Sequence, residues 1–303
     1  MNTMKTWLDQ QKEQSEAMLT LLTFAQQEGY TLIDPPYFVY YDQFREQNEH
    51  YDPKRSIKMT NPLGHVLVLR PDLTTSVMER LRWHKTDGAL KLCYYASTFA
   101  QGKERLEVRK EFGLEYFNAP HIEGEITILK TLESLMQALH MEVTLEVGHA
   151  GFMKKLWTLL ALNKAQTKTL RTLIKHKQSD RLAAFAQTLN THQHQPLIEA
   201  LLTLEGSTEK VRATLQSLGY ETLFETELKA VEALEASTNL PFILDFSLLS
   251  DLEYYAGIMF KAYRQEDARP LIRGGRYQVE LLEGQAVGFS FSMAHLLGGE
   301  DDV

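Results

Sequence analysis

Apolar residues recur at helical spacing from Met4 to about Glu28. Leu8, Met18, Leu21, Leu22 and Phe24 lie along one stripe, and Gly29 follows where a helix C-cap glycine belongs. The period breaks in TLIDPPYFVYYDQF. Pro35 and Pro36 forbid a helix there, and the aromatic and β-branched residues around them predict an extended segment. HVLVLRP, from His65 to Pro71, alternates with the two-residue period of a strand. DLTTSVMERL then restarts a helix, with Asp72 or Thr74 available to cap it. KLCYYASTFA and RKEFGLEYFN read as strands, Glu123 to Met141 as an amphipathic helix, and MEVTLEVGH as a further strand.

From about Ala150 to Ala236 the chain is rich in Leu, Ala, Lys, Gln and Thr at helical spacing, and its one proline is Pro196. This predicts an all-helical insert over 150–236. Strand signals return in PFILDF, YYAGIMFKAY, LIRGGRY and AVGFSFS, followed by a short helix, MAHLL. Strands and helices do not alternate one for one in the early part. A mostly antiparallel α+β sheet with flanking helices fits better than a Rossmann arrangement. The predicted organisation is a core formed by 1–149 and 237–303, with the helical module between.

A chain of 303 residues suffices for one large domain, or a large one with a small one. Its formal net charge of −8 argues against a broad nucleic-acid face, which is usually basic. No apolar run approaches the roughly 20 residues that span a bilayer. The polar start, Met1 to Glu13, does not read as a secretion signal, and the single cysteine, Cys93, forms no intrachain disulfide. A reducing cytoplasm is the expected compartment. His192 and His194 have metal-ligand side chains but sit in a loop without partners, so solvent exposure is expected and no metal or other cofactor is called for. Lys103, Arg105, Arg109 and Lys110 cluster in one hairpin, which reads as solvated, with an anion contact as the sharper alternative.

Four stretches, in order, carry a resemblance. DPPYFVYYDQF resembles the extended segment of class II aminoacyl-tRNA synthetase motif one, which forms a dimer interface. VLRPDLTTSV resembles a stretch of histidyl-tRNA synthetase, and YYASTFAQGKERLEVRKEFGLEYFN resembles motif two. LEYYAGIMF, GGRY and AVGFSFSMAHLL resemble two histidine-enzyme signatures and motif three. The resemblance covers roughly Asp34 to Leu297 and implies the class II catalytic-core fold, with a helical insert in the gap where that family carries one.

The same resemblance indicates where chemistry is kept and where it is lost. Adenylate formation builds negative charge at a phosphate, and arginine suits that charge because it is permanently cationic and binds phosphate in a bidentate fork. At the three positions where the family places such arginines, this sequence has Ala100, Ser250 and His295. The amino-acid side of the pocket is kept. Asp72 falls where the family meets an α-ammonium group, and Thr74 beside it. Glu111 stands where Gln is usual, Glu115 where a Glu faces the imidazole, Tyr254 and Tyr255 at paired tyrosines, and Tyr277 at the tyrosine of GGRY. Gly274 and Gly275 allow close backbone approach. From the residues alone, Asp72 is also a helix cap, Glu111, Glu115, Tyr254 and Tyr255 could form a buried polar cluster, and GGRY reads as a turn entering a strand.

The chain ends just after motif three, where histidyl-tRNA synthetases continue into an anticodon-binding domain; with the three arginines also replaced, the resemblance implies neither adenylation nor tRNA charging. One branch of the family has these properties: the regulatory subunits of short-form ATP phosphoribosyltransferase, the first enzyme of histidine biosynthesis. Membership there implies a hetero-octamer of four regulatory and four catalytic chains, activation of the catalytic subunit and feedback by histidine. It also implies self-association through the motif-one region and no tRNA or membrane partner. An active class II ligase and a stand-alone histidine sensor are the competing functions.

Overall fold

The computed structural model describes residues 7–48, 51–81, 88–189, 192–249, 255–265, 267–279 and 284–299. In chain order the strands are β1 Thr31–Leu32, β2 Phe38–Tyr40, β3 Lys58–Thr60, β4 Val66–Leu69, β5 Leu90–Gln101, β6 Leu106–Phe117, β7 Val143–His149, β8 Glu205–Gly206, β9 Phe242–Asp245, β10 Tyr255–Arg264, β11 Ile272–Val279 and β12 Gly284–Ser292. Four helices matter below: α1 Trp7–Gln27, α2 Tyr41–Gln47, α3 Leu73–Leu81 and α4 Glu123–Ala138. No helix of the described residues is long and apolar enough to cross a membrane.

The residues cluster into two compact units. The first comprises the described residues up to Pro120 and from Leu271 onward. Its main sheet runs β1-β5-β6-β12-β11, antiparallel except for the parallel β1–β5 pair. One face is apolar: Cys93, Phe112, Leu114, Val287, Phe289 and Phe291 are all buried on it. A smaller sheet, β2-β4-β3, buries Val39 and Val68 against Phe44, with Tyr41 and Tyr51 packed alongside.

Arg70 fixes the entry to α3. Its buried guanidinium donates to the carbonyls of Ser97 and Pro35, at 2.5 and 2.6 Å, and lies 4.3 Å from the Tyr37 ring centroid. Three partners for one buried cation offset its desolvation, and they place residues 71–75 at the sheet.

The second unit holds the four-strand order β10-β7-β9-β8 with α4 and the helical run after Ala150. Its core includes Phe152, stacked on Phe246 with centroids 4.3 Å apart, and Phe224. Composition draws a boundary at 150 and 236, but by packing the helical run shares its unit with α4, β7, β9 and β10. Composition registers the helical repeat, whereas packing registers what the apolar stripes cover.

Three local expectations change. Tyr41–Gln47 is helical, not extended, because the proline restriction ends well before Tyr41 and one turn suffices to bury Phe44. The 150–236 segment is not entirely helical, since Glu205 and Gly206 pair with Asp245 and Leu244. GGRY is strand throughout, paired with β12 from Ile272 to Val279.

Candidate binding site

Paired residues in antiparallel strands point to the same face, and alternate residues share it. Leu92, Glu115, Gly288 and Gly275 therefore form one row across β5, β6, β12 and β11. The next row holds Tyr94, Gly113, Ser290 and Arg273, and the one after holds Ala96, Glu111 and Ser292. This face is polar where the opposite face is apolar.

Glu115 is only 2% exposed. Its Oε1 accepts the hydroxyls of Thr74 at 3.0 Å and Tyr94 at 3.3 Å, and its Oε2 accepts the Tyr277 hydroxyl at 2.7 Å. Glu111 is held in the same manner, Oε1 accepting from Thr98 at 3.0 Å and Oε2 from Ser290 at 3.2 Å. Two glycines make room for this. A Cβ at Gly288 would land on the Glu115 carboxylate and the Leu114 carbonyl, and one at Gly113 would land in the Tyr94 ring. Asp72 caps α3, its Oδ2 accepting the Thr75 N–H at 2.6 Å.

Hydroxyl donors favour the ionised carboxylates, but burial outweighs them, and the charge of Asp72 adds to it. Burial pushes Glu115 up to about 7 and raises Glu111 as well. Burial also holds Tyr94 well above its usual value, helped by Glu115. Such a pocket offers acceptors to cationic or N–H-bearing ligands. A carboxyl near neutrality with phenols on both oxygens suits an imidazole in either protonation state.

A pH dependence follows. Folded Glu115 keeps its proton to about pH 7, while the unfolded chain releases it near 4.5. The stability this contributes is lost as pH rises between those values, about 3 kcal/mol at most. His149, buried in the second unit, acts oppositely. Burial lowers its pKa from 6.5 to about 4, so its contribution is lost as pH falls through that window, and the two offset in the wild type. Glu115→Gln removes one side of the balance. Its stability relative to wild type, measured by urea unfolding, is expected to grow by up to about 3 kcal/mol between pH 4.5 and 8. A gap constant with pH would contradict this.

Farther along the same face, Thr98, Ala100, Glu107 and Arg109 line a cavity of about 90 Å³, together with Tyr51, Arg55, Pro71 and Phe99. Glu107 Oε2 is 2.7 Å from Arg55 and 3.5 Å from Arg109. Ala100 thus lies beside cations that are already engaged on an internal carboxylate. Ser250 and Tyr254 lie outside the described residues. His295 sits in the short helix Met293–Leu296, where its N–H donates to Ser292 Oγ at 3.3 Å. Tyr255 opens β10 in the second unit and packs with Ala150, Leu248 and Met259. Gly274 pairs with Phe289 on the apolar face, so Gly275, at φ +151°, is the member of the pair on the Glu115 face.

The four basic hairpin residues separate. Lys103 and Arg105 are exposed at the turn, Lys110 lies on the opposite face 5.5 Å from the Tyr95 ring centroid, and Arg109 is on the site face. His192 is exposed as expected, but His194 is buried, with Nδ1 2.6 Å from the Tyr220 hydroxyl. Sequence reasoning did not find Tyr94, Thr98, Ser290, Gly113 or Gly288. The first two were legible from the hairpin register, since the four-residue turn Gly102–Arg105 pairs Gln101 with Leu106 and so Tyr94 with Gly113.

A sheet of this order, with an acidic pocket on the face of its motif-two hairpin, defines a class II aminoacyl-tRNA synthetase-like core. The family model for histidyl-tRNA synthetase matches residues 5–296, and the chain belongs to that family. The ATP phosphoribosyltransferase regulatory subunit of Bacillus cereus (strain ATCC 10987 / NRS 248) is 25% identical over 260 residues, 82% of this chain and 62% of that protein. The protein of the same name from Oceanobacillus iheyensis is 26% identical over 284 residues, 89% and 69% of the two chains. This chain spans 62% of the length of the Bacillus cereus relative. A solved regulatory subunit/histidyl-tRNA synthetase from Bacillus halodurans matches with a TM-score of 0.80 at 21% identity, over 98% of this chain and 81% of that one. A chain of the ATP phosphoribosyl transferase complex from Thermotoga maritima matches with a TM-score of 0.68 at 18% identity, over 92% and 97%. Likeness at these identities shows the fold.

Proposed function

We propose that this chain is the regulatory subunit of a short-form ATP phosphoribosyltransferase, one that activates the catalytic subunit and relays feedback inhibition by histidine without adenylating it. The supporting observation is the contrast along one sheet face. Hydroxyl-held Glu111 and Glu115 offer an amino-acid pocket at one end. At the other, Ala100 stands where the family resemblance places an arginine, and Arg55 and Arg109 already hold Glu107. Loss of one transition-state donor typically costs on the order of 10²–10³-fold in rate. Curated relatives named as regulatory subunits support the same reading. ATP–pyrophosphate exchange with histidine is expected to stay at background; robust turnover would make the chain a ligase.

The assembly is proposed to hold four regulatory and four catalytic chains in the cytoplasm, with 150–236 as an insertion in the core. Regulatory chains pair through the β2-β4-β3 sheet, whose second face leaves Phe38, Tyr40 and Met59 exposed at 43%, 41% and 47%, beside Leu67 and Leu69. An apolar sheet face of this kind fits a two-fold contact with a second copy. Replacing Phe38 with Lys and Met59 with Glu together is expected to shift sedimentation to a smaller species; unchanged sedimentation would place the contact elsewhere.

A further inference from the structure

We propose that Arg109 sets the specificity of the pocket, its guanidinium receiving the carboxylate of an amino-acid ligand whose ammonium group sits on Asp72 and Glu111. The assignment rests on the reading of the Glu111–Glu115 face as an amino-acid pocket. A zwitterion needs a cation as well as anions. Asp72, Glu111 and Glu115, with the hydroxyls of Thr74, Tyr94 and Tyr277, suit an ammonium group and an imidazole, but they offer a ligand carboxylate only like charge. At the position of the family's phosphate-binding arginine nearest this hairpin, the chain has Ala100, so no cation comes from there.

Arg109 lies two residues from Glu111 on the same face of β6, roughly 7 Å away along the strand. It is near enough to Glu111 to favour that carboxylate's charge, and to Tyr51 to act against the burial that raises its phenol. It lines the cavity together with Thr98, which holds Glu111, and with Ala100, whose methyl leaves the space beside it open. The planar fork of arginine matches a carboxylate bidentately.

Arg109 is engaged already, with Glu107 among its partners, so binding is an exchange of one carboxylate for another. Glu107 favours the exchange because Arg55 holds it at 2.7 Å, against 3.5 Å for Arg109. Glu107 therefore stays paired when Arg109 turns to the ligand. The remaining basic side chains of this hairpin are badly placed, at the exposed turn or on the opposite face. Arg273 is the competitor: it shares the face, next to Ser290, but it is exposed on β11, two strands from Glu111.

Isothermal titration of the full chain with histidine and with histamine, which keeps the ring and amine but lacks the carboxylate, separates the possibilities. Wild type is expected to prefer histidine by at least about tenfold. Arg109→Ala is expected to lose histidine affinity by roughly 10- to 100-fold, as for a lost charge-assisted bidentate pair, while histamine binding stays within about twofold. Arg109→Lys should keep part of the preference, and melting curves show whether each variant is folded. An unchanged histidine-to-histamine ratio in both Arg109 variants overturns the assignment, as does its collapse in Arg273→Ala instead. Wild type binding neither compound removes the pocket itself, a different failure from binding that ignores Arg109.

Discussion

Replacing Gly288 with alanine is expected to destabilise the protein by about 3 kcal/mol or more and to abolish ligand binding at Glu115. The added methyl would occupy the place of Glu115 Oε2 and press on the carbonyl oxygen of Leu114. The carboxylate could swing aside only by giving up the Tyr277 hydroxyl at 2.7 Å, leaving buried polar groups unpaired. The Leu114 carbonyl belongs to β6, which pairs with β12 along the same row, so relief on that side costs strand pairing. Gly88→Ala is the control. Nothing lies within 4 Å of a Cβ there, and its effect is expected to stay within about 0.5 kcal/mol. Chemical denaturation of both variants checks the pair, and equal stability of G288A and G88A would contradict the close row of Glu115, Gly288 and Gly275.

That row also shows which parts of the structure were legible in the sequence. The long hairpin of β5 and β6 is written in alternation, and its tight turn fixes which residues face each other. The Asp72 cap is written in the residues that follow it. Thr74, Glu111, Glu115 and Tyr277 were named from their order along family motifs, and the structure brings Thr74 and Tyr277 onto Glu115. The partner of Glu111 on β12 is a different matter. Ser290 lies 179 residues away in sequence, and its position depends on a β6–β12 register that no local pattern encodes. Gly288 escaped for the same reason, and Gly113 escaped because its need arises from the Tyr94 ring across the hairpin rather than from its own backbone. The helix at Tyr41–Gln47 is masked in the sequence by Pro35 and Pro36, whose restriction on the backbone ends several residues before it.

The second large effect concerns the partner. A regulatory subunit is defined by a coupling free energy between its own site and the catalytic site of another chain, and typical couplings of about 1–3 kcal/mol correspond to roughly 5- to 150-fold. In the proposed function the acidic pocket is the sensing end of that coupling. Under that proposal, contacts between a bound histidine and the buried carboxyls Glu111 and Glu115 would be the differential interaction that shifts the equilibrium. Glu115→Gln, which keeps the shape of the side chain but removes its ability to ionise and to accept at both oxygens, is expected to weaken inhibition while leaving activation in place. Phosphoribosyl transfer by a short catalytic subunit, measured with and without this chain and then with histidine, tests the account directly. A rise of about five-fold or more is expected on adding the chain, and a fall when histidine follows; a rate unmoved by either addition would rule out the regulatory role.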